Sequence, residues 1–196
     1  MEALVFVWPY AVAFWVALAW AFGGELRLDY GRRPSPSDAA QDRGSYGLVL
    51  MGNWILTVVA FFVAADIRAL SIDPPRLILF WTGVALLVAG GALRRHCFRM
   101  LGRSFTTRVQ VRPGQAIVET GAYRWVRHPS YSGALLMYLG IGLALDNWAS
   151  LAILVFGTAA LYSYRVRVEE RALRGTLGQA YEDYMQRTTR FVPFLF

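Results

Sequence analysis

The sequence predicts an all-α integral membrane protein, a helical bundle with about five transmembrane helices. Hydrophobic residues make up 56% of the 196 residues and the mean hydropathy is +0.38, which is more apolar than a typical soluble domain. Long uncharged segments and a one-sided distribution of positive charge support the same fold class. We expect one membrane domain over residues 1–196, with the first three spans in residues 1–93. Residues 94–196 then hold two further spans, a motif-rich segment and a cytoplasmic tail.

Five segments carry no charged residue and are 17 to 20 residues long. About 20 apolar residues in a helix cross the hydrocarbon core of a bilayer, so each segment is a candidate span. The segments are residues 3–22, 46–65, 77–93, 129–145 and 147–164. Only Asp146 separates the last two, so these spans are predicted to be antiparallel neighbours. Glycines in the third and fourth spans are expected to permit close helix contact.

The distribution of arginine predicts the orientation of the bundle. All 20 basic residues are arginine, and 18 of them follow the first, third or fifth span, while only Arg68 and Arg76 lie on the other side. Positive charge stays on the cytoplasmic side, so we expect the N-terminus outside and the C-terminus in the cytoplasm. The lysine-free, arginine-rich composition suggests a prokaryotic protein, which would place the chain in the inner membrane with its site facing the cytoplasm.

The same composition makes several classes of function improbable. The net charge of +7 is better explained by arginines that meet anionic lipid headgroups than by nucleic-acid binding. A single cysteine, Cys97, excludes an internal disulfide, and two histidines far apart in sequence provide no metal-ligand spacing. We therefore expect no metal and no nucleic acid, and no obligate protein partner is evident.

A cluster of ionisable and aromatic residues stands at the start of the fourth span. Pro129 suits the first turn of a helix, where its missing N–H costs nothing, and His128 then lies at the helix start. The positive end of the helix dipole there favours an anion, such as a ligand carboxylate. Tyr123 and Tyr131 flank the motif and could stack on a purine or face a cation. The alternative is that these side chains are interfacial anchors of the span.

A second cluster follows the fifth span. Arg165 and Glu169 are four residues apart and share a helix face, whereas Glu170 points about 100° away. Adjacent carboxylates just beyond an apolar span can bind an ammonium group, polarise a substrate or pair with arginine. Ionisable groups beside membrane spans are usually functional. Both clusters are predicted on the cytoplasmic side of neighbouring spans, so the sequence predicts that they form one site.

These residues resemble the isoprenylcysteine carboxyl methyltransferase family, in its bacterial branch. The matching run covers roughly residues 94–196: Leu101-Gly102-Arg103-x-Phe105-Thr106, Pro113-Gly114, Ile117-Val118-x-x-Gly121-x-Tyr123, Arg127-His128-Pro129-Ser130-Tyr131-x-Gly133, Arg165-x-x-x-Glu169-Glu170-x-x-Leu173, Gly178-x-x-Tyr181-x-x-Tyr184 and Arg190-Phe191-x-Pro193. The resemblance implies an integral membrane methyltransferase that uses S-adenosylmethionine and releases S-adenosylhomocysteine. Better-known members often carry histidine where this chain has Gln115.

By position, the resemblance also assigns roles to residues. The expected cofactor-binding residues are Gln115, Ala116, Ile117, Val118, Tyr123, His128, Pro129, Ser130, Tyr131 and Glu169. Arg165 is expected to face the methyl acceptor, and Glu169 and Glu170 complete the catalytic candidates. A carboxylate acceptor would need no general base, while an amine or thiol would need His128 or Glu170 to take its proton.

The sequence therefore predicts S-adenosylmethionine-dependent methyl transfer at the cytoplasmic boundary of the membrane. The acceptor is expected to be lipophilic, either an isoprenylcysteine-like carboxylate or a lipid headgroup, and to reach the site from the bilayer. Two alternatives stay open. Steroid and sterol reductases, which use NADPH, have a related-looking second half, and a non-enzymatic small membrane protein would use both clusters as anchors.

Overall fold

Five long helices form the bundle in the computed structural model, which describes residues 2–26, 42–72, 75–102, 111 and 116–192. The helices are α1 (Tyr10–Leu26), α2 (Ser45–Asp66), α3 (Arg76–Leu101), α4 (Pro129–Ala144), α5 (Trp148–Leu177) and the short α6 (Gln179–Arg187). Three 3₁₀ helices, Leu4–Phe6, Arg68–Leu70 and Gly121–Arg124, lie in the connections. The described residues contain no sheet, only two isolated bridges. The predicted all-α membrane bundle is confirmed.

Three of the helices are long and apolar enough to cross a membrane: α2, α3 and α5. Helix α1 has a shorter apolar stretch, and α4 has 16 residues. The total of five spans and their orientation stay predictions. The first predicted span was placed too early, because Pro9 cannot extend the helix upstream and α1 begins at Tyr10. Helix α5 continues beyond the uncharged segment, which ends at residue 164, to Leu177, where Gly178 with φ of 55° separates it from α6.

Consecutive helices run antiparallel, so the bundle has two ends. The turn end holds the connection from α2 to α3 and the turn from α4 to α5. There Ile72 N–H donates to the carbonyl of Asp146 at 3.0 Å, and the side chain of Asn147 donates to the carbonyl of Ile67 at 2.9 Å. Arg76 forms an ion pair with Asp146. The site end holds the start of α2, the end of α3, the start of α4 and the second half of α5.

Helices α3 and α4 pack through facing glycines. A Cβ on Gly90 would lie 2.4 Å from the carbonyl oxygen of Gly133, and one on Gly83 would lie 2.5 Å from that of Gly140. Real side chains do not fit at these distances, so the two backbones are in direct contact. The predicted role of these glycines is confirmed by this geometry. The contact fixes the start of α4, and with it the His128 motif, against the end of α3.

Candidate active site

The start of α4 presents His128 at the site end. His128 occupies the N-cap position and Pro129 the first turn, as the sequence predicted, and both are buried. The imidazole ring stacks on the ring of Tyr131, with centroids 5.6 Å apart and planes 13° apart. Arg94 of α3 donates to the carbonyl of Ser130 at 2.9 Å, which ties this first turn to the neighbouring helix.

Residues near the C-terminal end of the described chain pair with this motif through their backbones. Arg127 N–H donates to the carbonyl of Thr189 at 2.8 Å, and His128 N–H donates to that of Arg190 at 3.1 Å. Val126 and Thr189 form an isolated parallel bridge. The N–H groups of Tyr131 and Ser132 both donate to the carbonyl of His128. The backbone N–H groups of Arg127, His128, Tyr131 and Ser132 are therefore already bonded within the protein, and an anion at this helix start would need other donors.

Glu170 is surrounded by two arginines, Arg127 and Arg190, and by His128. Its carboxylate accepts from Arg127 Nε at 3.2 Å and from Arg190 Nη2 at 2.8 Å, and the residue is only 3% exposed. His128 Nε2 lies 3.5 Å from Glu170 Oε1, an ionic contact when the ring is protonated rather than a well-formed hydrogen bond. These partners join α5 to the α4 motif and to the end of the described chain.

Glu169, the adjacent carboxylate, has a different environment. Its Oε2 accepts from the hydroxyl of Tyr131 at 2.8 Å and lies 3.8 Å from His128 Nδ1, and its side chain remains 31% exposed. Successive residues of a helix point about 100° apart, which is why one carboxylate is enclosed and the other reaches an accessible surface. Of the two predicted catalytic carboxylates, Glu169 is the one that a ligand can approach.

Arg165 reaches from α5 to the beginning of α2. Its Nη1 donates to the carboxylate of Asp42 and to the hydroxyl of Ser45, and its Nε donates to the hydroxyl of Tyr131 at 3.3 Å. Arg165 and Asp42 are both buried. The structure thus brings Arg165, Tyr131, Glu169 and His128 into one connected cluster, as the sequence predicted for the two motifs.

Aromatic rings line this cluster in a row. The ring of Tyr131 lies between those of His128 and Tyr162, and its centroid is 4.9 Å from the centroid of the Tyr162 ring. Phe191 adds a fourth ring 6.5 Å from His128. A row of this kind can stack on a flat base or face a cation, and it lies beside the accessible carboxylate of Glu169.

Three buried tyrosines close the site end. The hydroxyl of Tyr184 donates to the carbonyl of Tyr123 at 2.7 Å, so α6 holds the short 3₁₀ helix before the motif. Burial raises the pKa of Tyr184 to about 12. Burial, with the nearby charge of Glu170, raises the pKa of Tyr181 well above its usual value. The Tyr181 hydroxyl is a buried neutral donor, and the described part of the chain provides no hydrogen-bond partner for it.

The remaining predicted cofactor residues precede this 3₁₀ helix. Ala116, Ile117 and Val118 have irregular backbone, with Ala116 exposed and the other two half-buried. Gln115 lies outside the described residues, so its predicted contact stays a prediction.

Sequence reasoning missed three partners of the site. Asp42 pairs with Arg165 from 123 positions away, Arg190 binds Glu170, and Tyr162 extends the aromatic row. Asp42 stands just before the uncharged segment of α2, where an unpaired carboxylate would be unfavourable, and this was the only available signal. Arg190 belongs to the motif Arg190-Phe191-x-Pro193, which assigned it no role, and Tyr162 has no distinguishing pattern in the sequence.

Comparisons with known proteins identify one family that this chain is similar to. A model of the Isoprenylcysteine carboxyl methyltransferase (ICMT) family matches residues 83–175. The probable protein-S-isoprenylcysteine O-methyltransferase of Oryza sativa subsp. indica is 27% identical over an alignment of 188 residues, and the match covers 91% of this chain and 97% of that protein. The protein-S-isoprenylcysteine O-methyltransferase of Saccharomyces cerevisiae is 30% identical over 140 residues, 70% of this chain and 59% of the yeast protein.

A solved structure shows a similar fold. The eukaryotic intramembrane Ras methyltransferase, isoprenylcysteine carboxyl methyltransferase, superposes with a TM-score of 0.57 at 22% sequence identity. The match covers 94% of this chain and 62% of that chain, so this chain spans about three-fifths of its length. At this identity the likeness shows the fold alone.

Proposed function

Because the chain belongs to the isoprenylcysteine carboxyl methyltransferase family, we propose that it transfers a methyl group from S-adenosylmethionine to a lipophilic acceptor at the cytoplasmic boundary of the membrane. The observation that carries this proposal is the position of Glu169. Its partly exposed carboxylate is held by Tyr131 beside His128 and the aromatic row. The family relationship favours this function over the NADPH-dependent reductase that the sequence left open.

The residues present fit the charges of the proposed cofactor. S-adenosylmethionine carries an ammonium, a carboxylate, an adenine and a sulfonium whose methyl group is electrophilic. Glu169 suits the ammonium, because a carboxylate accepts several hydrogen bonds and can keep the one from Tyr131. His128 suits the carboxylate when its ring is protonated, and the aromatic row that contains Tyr131 suits the adenine or the sulfonium. The buried hydroxyl of Tyr181 provides a further donor.

An acceptor that is itself a carboxylate would require no general base in the site. It is ionised at neutral pH, so methyl transfer forms the ester bond without removing a proton, and alignment of the reactants provides much of the acceleration. Arg165 is the proposed anchor of this carboxylate. It lies beside Tyr131 and Asp42 at the site end, and its planar guanidinium matches the geometry of a carboxylate.

The proposed acceptor has a long apolar part. Helices α4 and α5 carry the motif residues next to their apolar segments, so a molecule in the bilayer reaches the site from the side. An isoprenylcysteine-like carboxylate combines such a chain with the preferred acceptor group, and a lipid headgroup is the second acceptor class. Glu170, enclosed by Arg127, Arg190 and His128, is proposed to hold the motif in place rather than to contact the reactants.

The test uses the full chain in lipid nanodiscs. Isothermal titration should show saturable binding of S-adenosylmethionine and S-adenosylhomocysteine and none of NADPH. With labelled donor, S-farnesylcysteine should gain a base-labile methyl ester, while its methyl ester serves as a control that gains no label. Extracted membrane lipids form a second acceptor arm. Saturable NADPH binding without S-adenosylmethionine binding would contradict the proposal, and label in lipids alone would reassign the acceptor.

A further inference from the structure

A buried ion pair joins the N-terminal half of the chain to the candidate site. Asp42 is 3% exposed and Arg165 is 5% exposed, and Arg165 Nη1 donates to Asp42 Oδ1. The hydroxyl of Ser45 accepts from the same nitrogen and donates to the same carboxylate oxygen at 3.3 Å. Two buried charges are favourable only when each is well paired, so the position of Arg165 depends on Asp42. Asp42 lies outside residues 83–175, which match the family model.

Hydrogen bonds continue from this pair to the accessible carboxylate. Arg165 Nε donates to the hydroxyl of Tyr131 at 3.3 Å, and this hydroxyl donates to Glu169 Oε2 at 2.8 Å. A guanidinium is planar and rigid, so fixing Nη1 on Asp42 also fixes the direction of Nε. The orientation of the Tyr131 hydroxyl, and hence of Glu169, then depends on a carboxylate that contacts neither of them.

We propose that Asp42 is a positioning residue of the methyltransferase site, which holds Arg165 so that Tyr131 presents Glu169 to the cofactor. This inference rests on the proposed function, in which Glu169 binds the cofactor ammonium. It extends the site to a residue near the start of α2. Asp42 is expected to affect cofactor affinity without touching the cofactor.

Asp42 also has a structural role that the test must separate. Its Oδ2 accepts from the backbone N–H of Tyr46 at 3.0 Å in the first turn of α2. Asparagine and serine both retain a side-chain oxygen that can accept from an N–H group. The variants Asp42→Asn and Asp42→Ser therefore keep an acceptor for Tyr46 and remove the charge that holds Arg165.

The experiment measures the Kd of S-adenosylhomocysteine by isothermal titration on the full chain in nanodiscs. Asp42→Asn and Asp42→Ser are each expected to raise this Kd about tenfold, the size of effect of one hydrogen bond to a charged group. The matched control is Asp146→Asn, which removes the charge from the Arg76 ion pair at the turn end and should leave the Kd unchanged. A wild-type Kd in either Asp42 variant would overturn the proposal, and a Kd raised equally by Asp146→Asn would too.

A double-mutant cycle tests the path of the effect. Tyr131→Phe keeps the stacked ring and removes the hydroxyl that joins Arg165 to Glu169. In this background Asp42→Asn should cause no further loss of affinity, whereas effects that multiply independently would overturn the proposal. Absence of saturable binding to the wild-type chain would refute the proposed function itself. Wild-type binding with an unchanged Asp42→Asn variant would refute only the positioning role.

Discussion

The hydroxyl of Tyr131 lies 2.8 Å from Glu169 Oε2 and joins the first turn of α4 to the second half of α5. A hydrogen bond to a carboxylate is stronger than one between neutral groups, so this contact orients the carboxylate that a ligand can reach. The same phenol accepts from Arg165 and stacks on His128. One side chain therefore connects Glu169, Arg165 and His128, for which roles in cofactor or acceptor binding are proposed.

Glu169→Gln should weaken cofactor binding. The amide can still accept from Tyr131, but it loses the charge that faces the ammonium, and we expect the Kd of S-adenosylhomocysteine to rise by about ten- to a hundredfold. Isothermal titration measures this change. Glu182→Gln, an exposed position on α6, is the control that should behave like the wild type. Equal affinities of Glu169→Gln and the wild type would show that Glu169 does not bind the cofactor.

Glu170→Gln should mainly lower the stability of the protein, because Glu170 is proposed to hold the motif in place rather than to contact the cofactor. Its carboxylate is 4% exposed and pairs with Arg127 and Arg190, and breaking a buried pair by removing one charge costs roughly 3–5 kcal/mol. The thermal midpoint in nanodiscs should fall, and limited proteolysis should cut residues 188–192 faster. The control is Glu119→Gln, because the Glu119–Arg187 pair is exposed and such pairs contribute about 0–1 kcal/mol. Similar losses in both variants would contradict this prediction.

Gly90→Ala should force α3 and α4 apart. The added Cβ would meet the carbonyl oxygen of Gly133 at 2.4 Å, and overpacking of this kind typically costs about 1–3 kcal/mol. Gly47→Ala is the matched control, since a Cβ at this helical position has no atom within 4 Å. It should be neutral or stabilising by up to about 1 kcal/mol, because alanine favours helix. Thermal unfolding of the two variants would distinguish local packing from a general effect of replacing glycine.

Fusion reporters should place the two ends of the bundle on opposite sides of the membrane. Because 18 of 20 arginines follow the first, third or fifth predicted span, green fluorescent protein fused after residue 196 should fluoresce in bacteria. Alkaline phosphatase at that position should be inactive, but it should be active when fused after Arg68. The reverse pattern would invert the predicted orientation, and activity at both positions would change the predicted number of spans.

Local sequence patterns were sufficient to predict most helices and to predict that the two motifs lie close together. Uncharged segments of membrane-spanning length located α2, α4 and the start of α3 within a few residues, and the single charged residue at 146 predicted the tight turn. The proline after His128 predicted the start of α4. Facing glycines indicated where α3 and α4 would touch. Each of these features depends on neighbouring residues only.

The roles of individual charges could not be predicted, because they depend on distant partners. Sequence showed that Glu169 and Glu170 point in different directions but not which of them would be enclosed. That outcome depends on Arg190, which reaches Glu170 only because residues 189–190 pair with the backbone of the motif. Asp42 similarly acquires its partner through the packing of α2 on α5, and no periodicity connects positions 42 and 165.

The contacts at the turn end limit how the bundle can deform. Arg76 with Asp146, and Asn147 with the carbonyl of Ile67, link the connection from α2 to α3 with the turn from α4 to α5. Helices fastened at one end can separate only by pivoting there, and the displacement then grows with distance along their axes. Lateral passage of a bulky lipid tail is therefore expected to widen the gap between the helices at the site end, while the helices stay in contact at the turn end.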